Sequence, residues 1–302
     1  MGATLMSMQT IFFGSGPVAA KSLQLLSSKF PIEAIITKPT TANDMRSINQ
    51  HTPLYVVSNK DELDELILNT PFKSQYALLV DFGIIVSKKV IAHFPLGIIN
   101  SHFSLLPEWR GADPITFSIL SGQQTTGISL MLLTEGMDEG PLLAQASYKI
   151  PPHATTAILT DALIELSDAT LKTVIPAYLR SELVPIPQNA GGVPEDNRPT
   201  YSRKLTKEDG IINWAKPAIQ LEREIRAYST WPKSHTTMAN KAMIITQASV
   251  SNSQGKPGKI IATNKQLFVC CGQNSLEIER LKPAGKSDMS AREFLNGYRV
   301  LL

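Results

Sequence analysis

Gly97-Ile98-Ile99-Asn100-Ser101-His102-Phe103-Ser104-Leu105-Leu106-Pro107-Glu108-Trp109-Arg110-Gly111 is the stretch around which this chain is organised. The apolar run Pro95 to Ile99 has the pattern of a buried strand, and polar side chains begin where it ends. Asn100 and His102 are two positions apart, so in extended backbone they project from one face. A loop with Pro107 and Gly111 follows. After another apolar run, Glu135-Gly136-Met137-Asp138-Glu139-Gly140 delivers a lone acid, Asp138, from a second turn. An amide, an imidazole and a carboxylate at strand ends in an α/β pattern point to a catalytic cleft.

Upstream, Thr10–Gly14, Ile32–Thr37, Leu54–Val57, Tyr76–Val80 and Leu96–Ile99 read as strands. Helices are expected over Pro17–Leu26 and Asp61–Leu68, and Lys38 to Thr52 reads as a polar segment. Downstream, Gly127–Leu133 and Leu142–Ile150 add strands around Asp138, and Thr155–Leu179 is a long amphipathic helix. This alternation predicts an α/β, Rossmann-like, mostly parallel sheet, whose ligands sit beyond the carboxyl ends of the strands. Pro185, Pro187, Gly191, Gly192, Pro194 and Pro199 punctuate a polar stretch of linker composition. Beyond it come a helix, Ala218–Ser229, and short strands over Ala242–Val250, Lys259–Thr263, Leu267–Cys271 and Leu276–Leu281, then a last helix, Ser290–Asn296. Several short strands with Gly and Asn turns predict a small β-barrel of the OB-like, oligonucleotide-binding type. The expected organisation is a catalytic domain at 1–183, a linker at 184–203 and an OB-like domain at 204–302.

A chain of 302 residues that is 43% hydrophobic can build a substantial core. No apolar run approaches the roughly 20 residues needed to span a membrane. Met1 to Thr10 lacks the features of a signal or transit peptide. The two cysteines, Cys270 and Cys271, are adjacent, a poor geometry for a disulfide or a metal site, which fits a reducing cytoplasm. The net charge of +3 hides an asymmetry: residues 1–199 carry 13 Lys/Arg and 18 Asp/Glu, whereas residues 200–302 carry 16 and 8. A basic second domain fits a polyanion-holding attachment and equally a domain that is merely basic.

Gly14-Ser15-Gly16-Pro17-Val18-Ala19 matches a G-x-G-x-x-A dinucleotide pattern, but no acid stands at the end of the second strand, which closes in Thr37-Lys38-Pro39. A tight strand-to-helix turn is the favoured reading, without a nicotinamide cofactor. His102 has no metal-ligand spacing around it. Beside Asn100 it suits attack of an amine on a carbonyl carbon, with His102 shuttling the proton and Asn100 donating to the developing oxyanion. Asp138 would keep the imidazole charged or orient a water. No G-x-S-x-G elbow is present and the first domain has no cysteine, which favours direct transfer without a covalent enzyme intermediate.

The ordered set Asn100-x-His102-x-Ser104-Leu105-Leu106-Pro107, Trp109-Arg110-Gly111-Ala112-x-Pro114-Ile115 and Gly136-Met137-Asp138-Glu139-Gly140 resembles the signature of folate-dependent formyltransferases. The resemblance puts the catalytic Asn, His and Asp on Asn100, His102 and Asp138. It puts folate contacts on Phe82, Gly83, Ile84, Ile85, Ser104, Leu105, Leu106, Pro107, Arg110, Gly136 and Met137. Arg110 would hold the cleft loop toward the anionic folate tail or only pin that loop. The second domain resembles that of the methionyl-tRNA formyltransferases in Tyr201-Ser202-Arg203-Lys204-Leu205, Ile212-x-Trp214, Trp231-Pro232 and Leu281-Lys282-Pro283-Ala284-Gly285-Lys286. What this implies is a monomeric cytoplasmic enzyme without metal or NAD. It would move the formyl group of 10-formyltetrahydrofolate to the α-amino group of methionyl initiator tRNA through a tetrahedral intermediate. Lys38, Arg46, Arg203, Lys204 and Lys207 would contact the tRNA. The segment Lys38–Asn49 is shorter than the corresponding loop of the family, and Asp81-Phe82 stands where Ala-Tyr is more usual. A formyltransferase acting on an amino sugar nucleotide is the alternative within the family. An RNA-binding module with a vestigial cleft is the alternative outside it.

Overall fold

The computed structural model describes residues 8–188, 198–238 and 240–298. Residues 189–197 of the expected linker lie outside the described residues. Five strands form the parallel half of a seven-stranded sheet: Thr10–Gly14 (β1), Ile32–Thr37 (β2), Leu54–Val56 (β3), Tyr76–Val80 (β4) and Ile98–His102 (β5). After a two-residue strand, Arg110–Gly111 (β6), the sheet is completed by Thr125–Leu132 (β7) and Leu142–Lys149 (β8). The order is β3-β2-β1-β4-β5-β7-β8, with β7 antiparallel to both β5 and β8. Successive strands lie on opposite sides of β1 and then β4, and the carboxyl ends at such a reversal are where open α/β sheets take ligands.

β1 and β4 bury every residue, as uniformly apolar strands covered on both faces do. Phe13 on β1 packs edge-on against Phe82 and Phe94, with centroids 5.5 and 6.0 Å away. Between β1 and the helix Pro17–Leu26 the backbone is cramped: a Cβ on Gly14 would lie 2.7 Å from that of Ala19, and Gly16 has φ 97°. Ser15 uses its hydroxyl to bond the Phe82 carbonyl at 2.6 Å. The Gly-x-Gly pattern thus makes a tight turn, with Pro17 opening the helix. Asn59 caps the helix Lys60–Asn69 by accepting from the amides of Asp61 and Glu62, and Glu62 reaches back to the Ser58 amide.

Three expectations need correction. The segment 38–52 carries a 3₁₀ turn, Pro39–Thr41, and a helix, Ala42–Ile48, which buries only Met45. Helices Lys88–His93 and Pro114–Ser121 occupy stretches with no helix in the sequence reading. The strand expected over Leu96–Ile99 runs instead to His102, because Asn100, Ser101 and His102 pair with Met131, Leu130 and Ser129 of β7. The two functional side chains therefore stand on the strand rather than on a loop beyond it.

The chain divides into two compact units. The first comprises the chain up to Gly111, Thr125–Lys149 and Thr160–Ser202; the second comprises Ala112–Gln124, Ile150–Leu159 and the chain from Arg203. The first ends with the short strand Tyr201–Ser202 (β9), parallel to β6, and the second is built on an antiparallel sheet. Its strands are His235–Met238 (β10), Lys241–Ser251 (β11), Ile260–Ala262 (β12), Leu267–Cys270 (β13), Ser275–Pro283 (β14) and Met289–Ser290 (β15). The order β10-β11-β14-β13-β12, with β15 on β14 and irregular register around Gln247, gives the half-barrel form of the OB-like module. Leu221, Ile225, Met243, Ile245, Leu276, Leu281 and Phe294 fill its core. Thr156 and Arg226 tie Ile150–Leu159 to the helix Ala218–Ala227, through bonds to the Ala227 and Ala154 carbonyls. Cys270 and Cys271 are free and buried.

Candidate active site

Asn100, His102 and Asp138 come together. Alternation along β5 turns Asn100 and His102 to one face and Ser101 to the other, where its hydroxyl meets that of Ser167 on the helix Thr156–Leu179 at 2.7 Å. Asp138 arrives from the turn after β7, held at φ 50°. Its Oδ1 accepts from Asn100 Nδ2 at 3.4 Å, its Oδ2 accepts from the Gly111 amide at 2.7 Å, and the same Oδ2 lies 3.6 Å from His102 Nδ1. His102 Nε2 is 2.9 Å from the carbonyl of Trp109. A carbonyl only accepts, so Nε2 carries the proton and, in the neutral ring, Nδ1 presents its lone pair toward Asp138. Trp109 has φ 55°, a region bulky residues avoid, and that conformation belongs to the turn that aims its carbonyl at the imidazole.

Of the two roles expected for Asp138, burial of His102 disfavours the one in which the carboxylate keeps the imidazole charged, and leaves the orienting of a water. Burial outweighs both the Asp138 charge and the Trp109 hydrogen bond, so the imidazole titrates below its ordinary 6.5. At neutral pH it is a neutral base. The carboxylate does not hold it charged at rest and instead stabilises the imidazolium once a proton arrives.

The remaining expected site residues divide by where their side chains go. Phe82 is core, although its carbonyl anchors Ser15. Gly83 has φ 69°, and a Cβ there would lie 3.0 Å from Lys38 Nζ, so Lys38 stands over this loop. Ile84 is partly buried and packs on the core, whereas Ile85 is 78% exposed. Ser104 is buried, with its hydroxyl bonded to the Glu108 carbonyl. Leu105 lies over Gly127, where a Cβ would sit 2.7 Å from its Cδ2. Leu106 is held through its amide by Ser129 and through its carbonyl by Gln145, both at 2.9 Å, and precedes Pro107 through a cis peptide. Gly136 sits against Glu139, and Met137 is 64% exposed. Lys88 and Glu135 approach to 3.9 Å, which places the loop of Ile85 beside the turn of Met137.

Arg110 is buried; its Nη1 donates to Glu139 at 3.1 Å and its Nη2 to Gln188 at 2.7 Å. Arg110 is thus tied to two side chains, one on the Asp138 turn and one on the segment after the long helix. Arg46, Lys204 and Lys207 are exposed. Arg203 is exposed too, but its guanidinium bonds both oxygens of Asp209, at 2.8 and 2.6 Å, and holds that carboxyl well below the usual range. Arg203, expected to contact the tRNA, thus already holds a carboxylate within the chain. Ser129, Gln145, Gln188 and the Trp109 carbonyl were missed. A buried serine inside the apolar strand β7 was a faint signal for Ser129; the other three left none. Among the described residues no group of three or more His, Cys, Asp or Glu could hold a metal ion.

A buried amide, a neutral imidazole and a carboxylate stand together on and beside β5 of a Rossmann-like sheet, a set of groups suited to direct acyl transfer. Residues 24–175 match the model described as formyl transferase and residues 204–299 the formyl transferase C-terminal domain. The chain belongs to the formyl transferase family. The methionyl-tRNA formyltransferase of Myxococcus xanthus (strain DK1622) is 32% identical over 96% of this chain and 95% of its own length. That of Roseiflexus castenholzii is 31% identical over 98% and 97%. Among solved structures, the N-formyltransferase from Helicobacter canadensis in complex with folinic acid and dTDP-3-aminofucose superposes with a TM-score of 0.64. It is 16% identical and covers 90% of this chain and 99% of that one, a likeness of fold.

Proposed function

We propose that this chain transfers the formyl group of 10-formyltetrahydrofolate to the α-amino group of methionine on initiator tRNA, as a cytoplasmic monomer. The observation that supports it most is the meeting of Asn100, His102 and Asp138 in a chain similar to methionyl-tRNA formyltransferases over nearly its whole length. The residues present suit a folate. Exposed apolar side chains, Ile85 and Met137, stand on adjacent turns at the strand ends and offer a face to a ring system. Ile84, Gly83, Gly136 and the backbone of 104–107 would complete its cradle, and Lys38 offers a cation beside Gly83. When bound, 10-formyltetrahydrofolate supplies the one-carbon unit at the formyl oxidation level.

The chain's own groups do the rest. His102 Nδ1, neutral and unprotonated, takes the proton released as the amine adds, directly or through a water. The imidazolium so formed lies between the Trp109 carbonyl and the Asp138 carboxylate, both of which stabilise it. Asn100 has a second amide hydrogen beyond the one facing Asp138, and it can donate to the oxygen on which charge develops. The proton held at Nδ1 is then available to the leaving nitrogen. Lys204, Lys207 and Arg46 are the cations we assign to tRNA phosphates.

Incubating the chain with formyl-folate and either methionyl initiator tRNA or an amino sugar nucleotide tests the reading. Formylmethionyl-tRNA should form and the sugar should remain unmodified; the reverse result refutes the assignment.

A further inference from the structure

We propose that Gln188, in the segment expected to be only a linker, is a positioning residue that fixes the Asp138 turn for catalysis; the proposal rests on the reading above. Ile186 exchanges both backbone hydrogen bonds with Leu142, each 2.8 Å, so this segment is docked on the first residue of β8. From there the Gln188 amide reaches over the catalytic turn. Its Nε2 donates to the carbonyls of Asp138 at 2.8 Å and Gly140 at 2.9 Å, while its Oε1 accepts from Arg110 at 2.7 Å. Two amide hydrogens meet two carbonyls and one oxygen meets a guanidinium, so the partners fix the orientation of the group: a flipped amide would oppose like with like at all three contacts.

The same hub joins the two loops that frame His102. Arg110 belongs to the loop whose preceding residue, Trp109, bonds His102 Nε2, and Arg110 also pairs with Glu139 beside Asp138. Asp138 is the charged group facing the imidazole, at 3.6 Å from Nδ1, and the Trp109 carbonyl is the dipole on its other nitrogen. The carboxylate accepts hydrogen bonds from the Gly111 amide at 2.7 Å and, at a long 3.4 Å, from Asn100. Its backbone is held by Gln188. Removing the donors frees the turn to move Asp138 by a fraction of an ångström to an ångström, and misplacement of that size is costly in a catalytic group.

Gln188→Ala is the discriminating variant, because it removes the two donors without adding a charge; Gln188→Glu keeps the shape and the Arg110 partner but also sets a carboxylate oxygen against the two carbonyls. We expect kcat to fall roughly tenfold to a hundredfold, with KM for folate and tRNA changed less than about threefold. Gln188→Glu should show the same split. The second readout needs no substrate: the His102 imidazole, followed by NMR and assigned by its absence in His102→Asn, should titrate at lower pH in Q188A than in the parent chain, because a displaced Asp138 supports the imidazolium less; Q188E is judged on kcat alone, since its added carboxylate itself favours the imidazolium. A parental kcat in either folded variant, or an unmoved His102 midpoint in folded Q188A, overturns the proposal, so poor folding of one leaves the other to decide. Failure of the parent chain to formylate methionyl-tRNA would sink the functional reading alone, since the His102 titration still judges the clamp.

Discussion

Opposed influences act on His102. Burial in a 6%-exposed position disfavours the imidazolium, and Asp138 at 3.6 Å favours it; burial is the larger, so the group is neutral near pH 7. The sign of the pH dependence follows. A depressed folded-state pKa stabilises the chain above the unfolded value of about 6.5 and loses that stability as pH falls through the folded value. Chemical denaturation between pH 7.5 and 5 should therefore show this contribution vanish below 6.5. A profile that gained stability across that window would contradict a buried neutral His102. Asp138→Asn removes the one charge that raises the pKa, so the His102 NMR midpoint should drop further. Turnover should drop with it, by on the order of 10²–10⁴, as for loss of a positioned acid–base group. Asparagine tolerates the left-handed backbone that Asp138 adopts at φ 50°, so the loss should come without unfolding, and circular dichroism would check that.

The loop after β5 owes its shape to one side chain on β7. Ser129 is fully buried; its hydroxyl donates to the Ser104 carbonyl at 2.7 Å and accepts from the Leu106 amide and Gln145 at 2.9 and 2.8 Å. Ser129→Ala strands those groups in the interior, at a cost of about 1–3 kcal/mol for an unsatisfied buried group. Urea unfolding should show a loss in that range, and a loss near zero would mean the loop finds its own partners. The sequence announced such elements unevenly. β1, β2, β4 and the helix Pro17–Leu26 were legible residue for residue: β1 ends at Gly14, β2 begins after Pro31, β4 is an apolar run between Gln75 and Asp81, and the helix opens at Pro17. Helices Lys88–His93 and Pro114–Ser121 were not, since six and eight residues give too few turns for a periodicity to emerge. Asn100, His102 and Asp138 were legible as residue types at strand ends, and Ser104 to Pro107 as a loop between them. What orients them was hidden: a backbone carbonyl at Trp109 has no side-chain signature, and a glutamine between prolines looks like any linker residue.

Charge is distributed along the chain in a way that predicts how the molecule meets a polyanion. Residues 200–302 carry a net +8, from 16 basic and 8 acidic side chains, against −5 for residues 1–199, from 13 and 18. Binding that releases counterions from four tRNA phosphates should weaken on the order of a hundredfold between 50 and 200 mM salt. Gel retardation of initiator tRNA by the full chain across that range measures it. The structure then separates cations by what they already hold. Lys204 and Lys207 are exposed, and replacing both with Gln should reduce the slope of log affinity against log salt by about 2. Arg203 is committed to both oxygens of Asp209, so its charge is largely compensated within the chain. Arg203→Gln should leave the slope nearly intact, whereas a slope reduced as much as in the lysine variants would mean that tRNA displaces Asp209. A chain whose affinity ignored salt altogether would hold its substrate by some means other than a phosphate backbone. The basic excess would then be only a solvated surface.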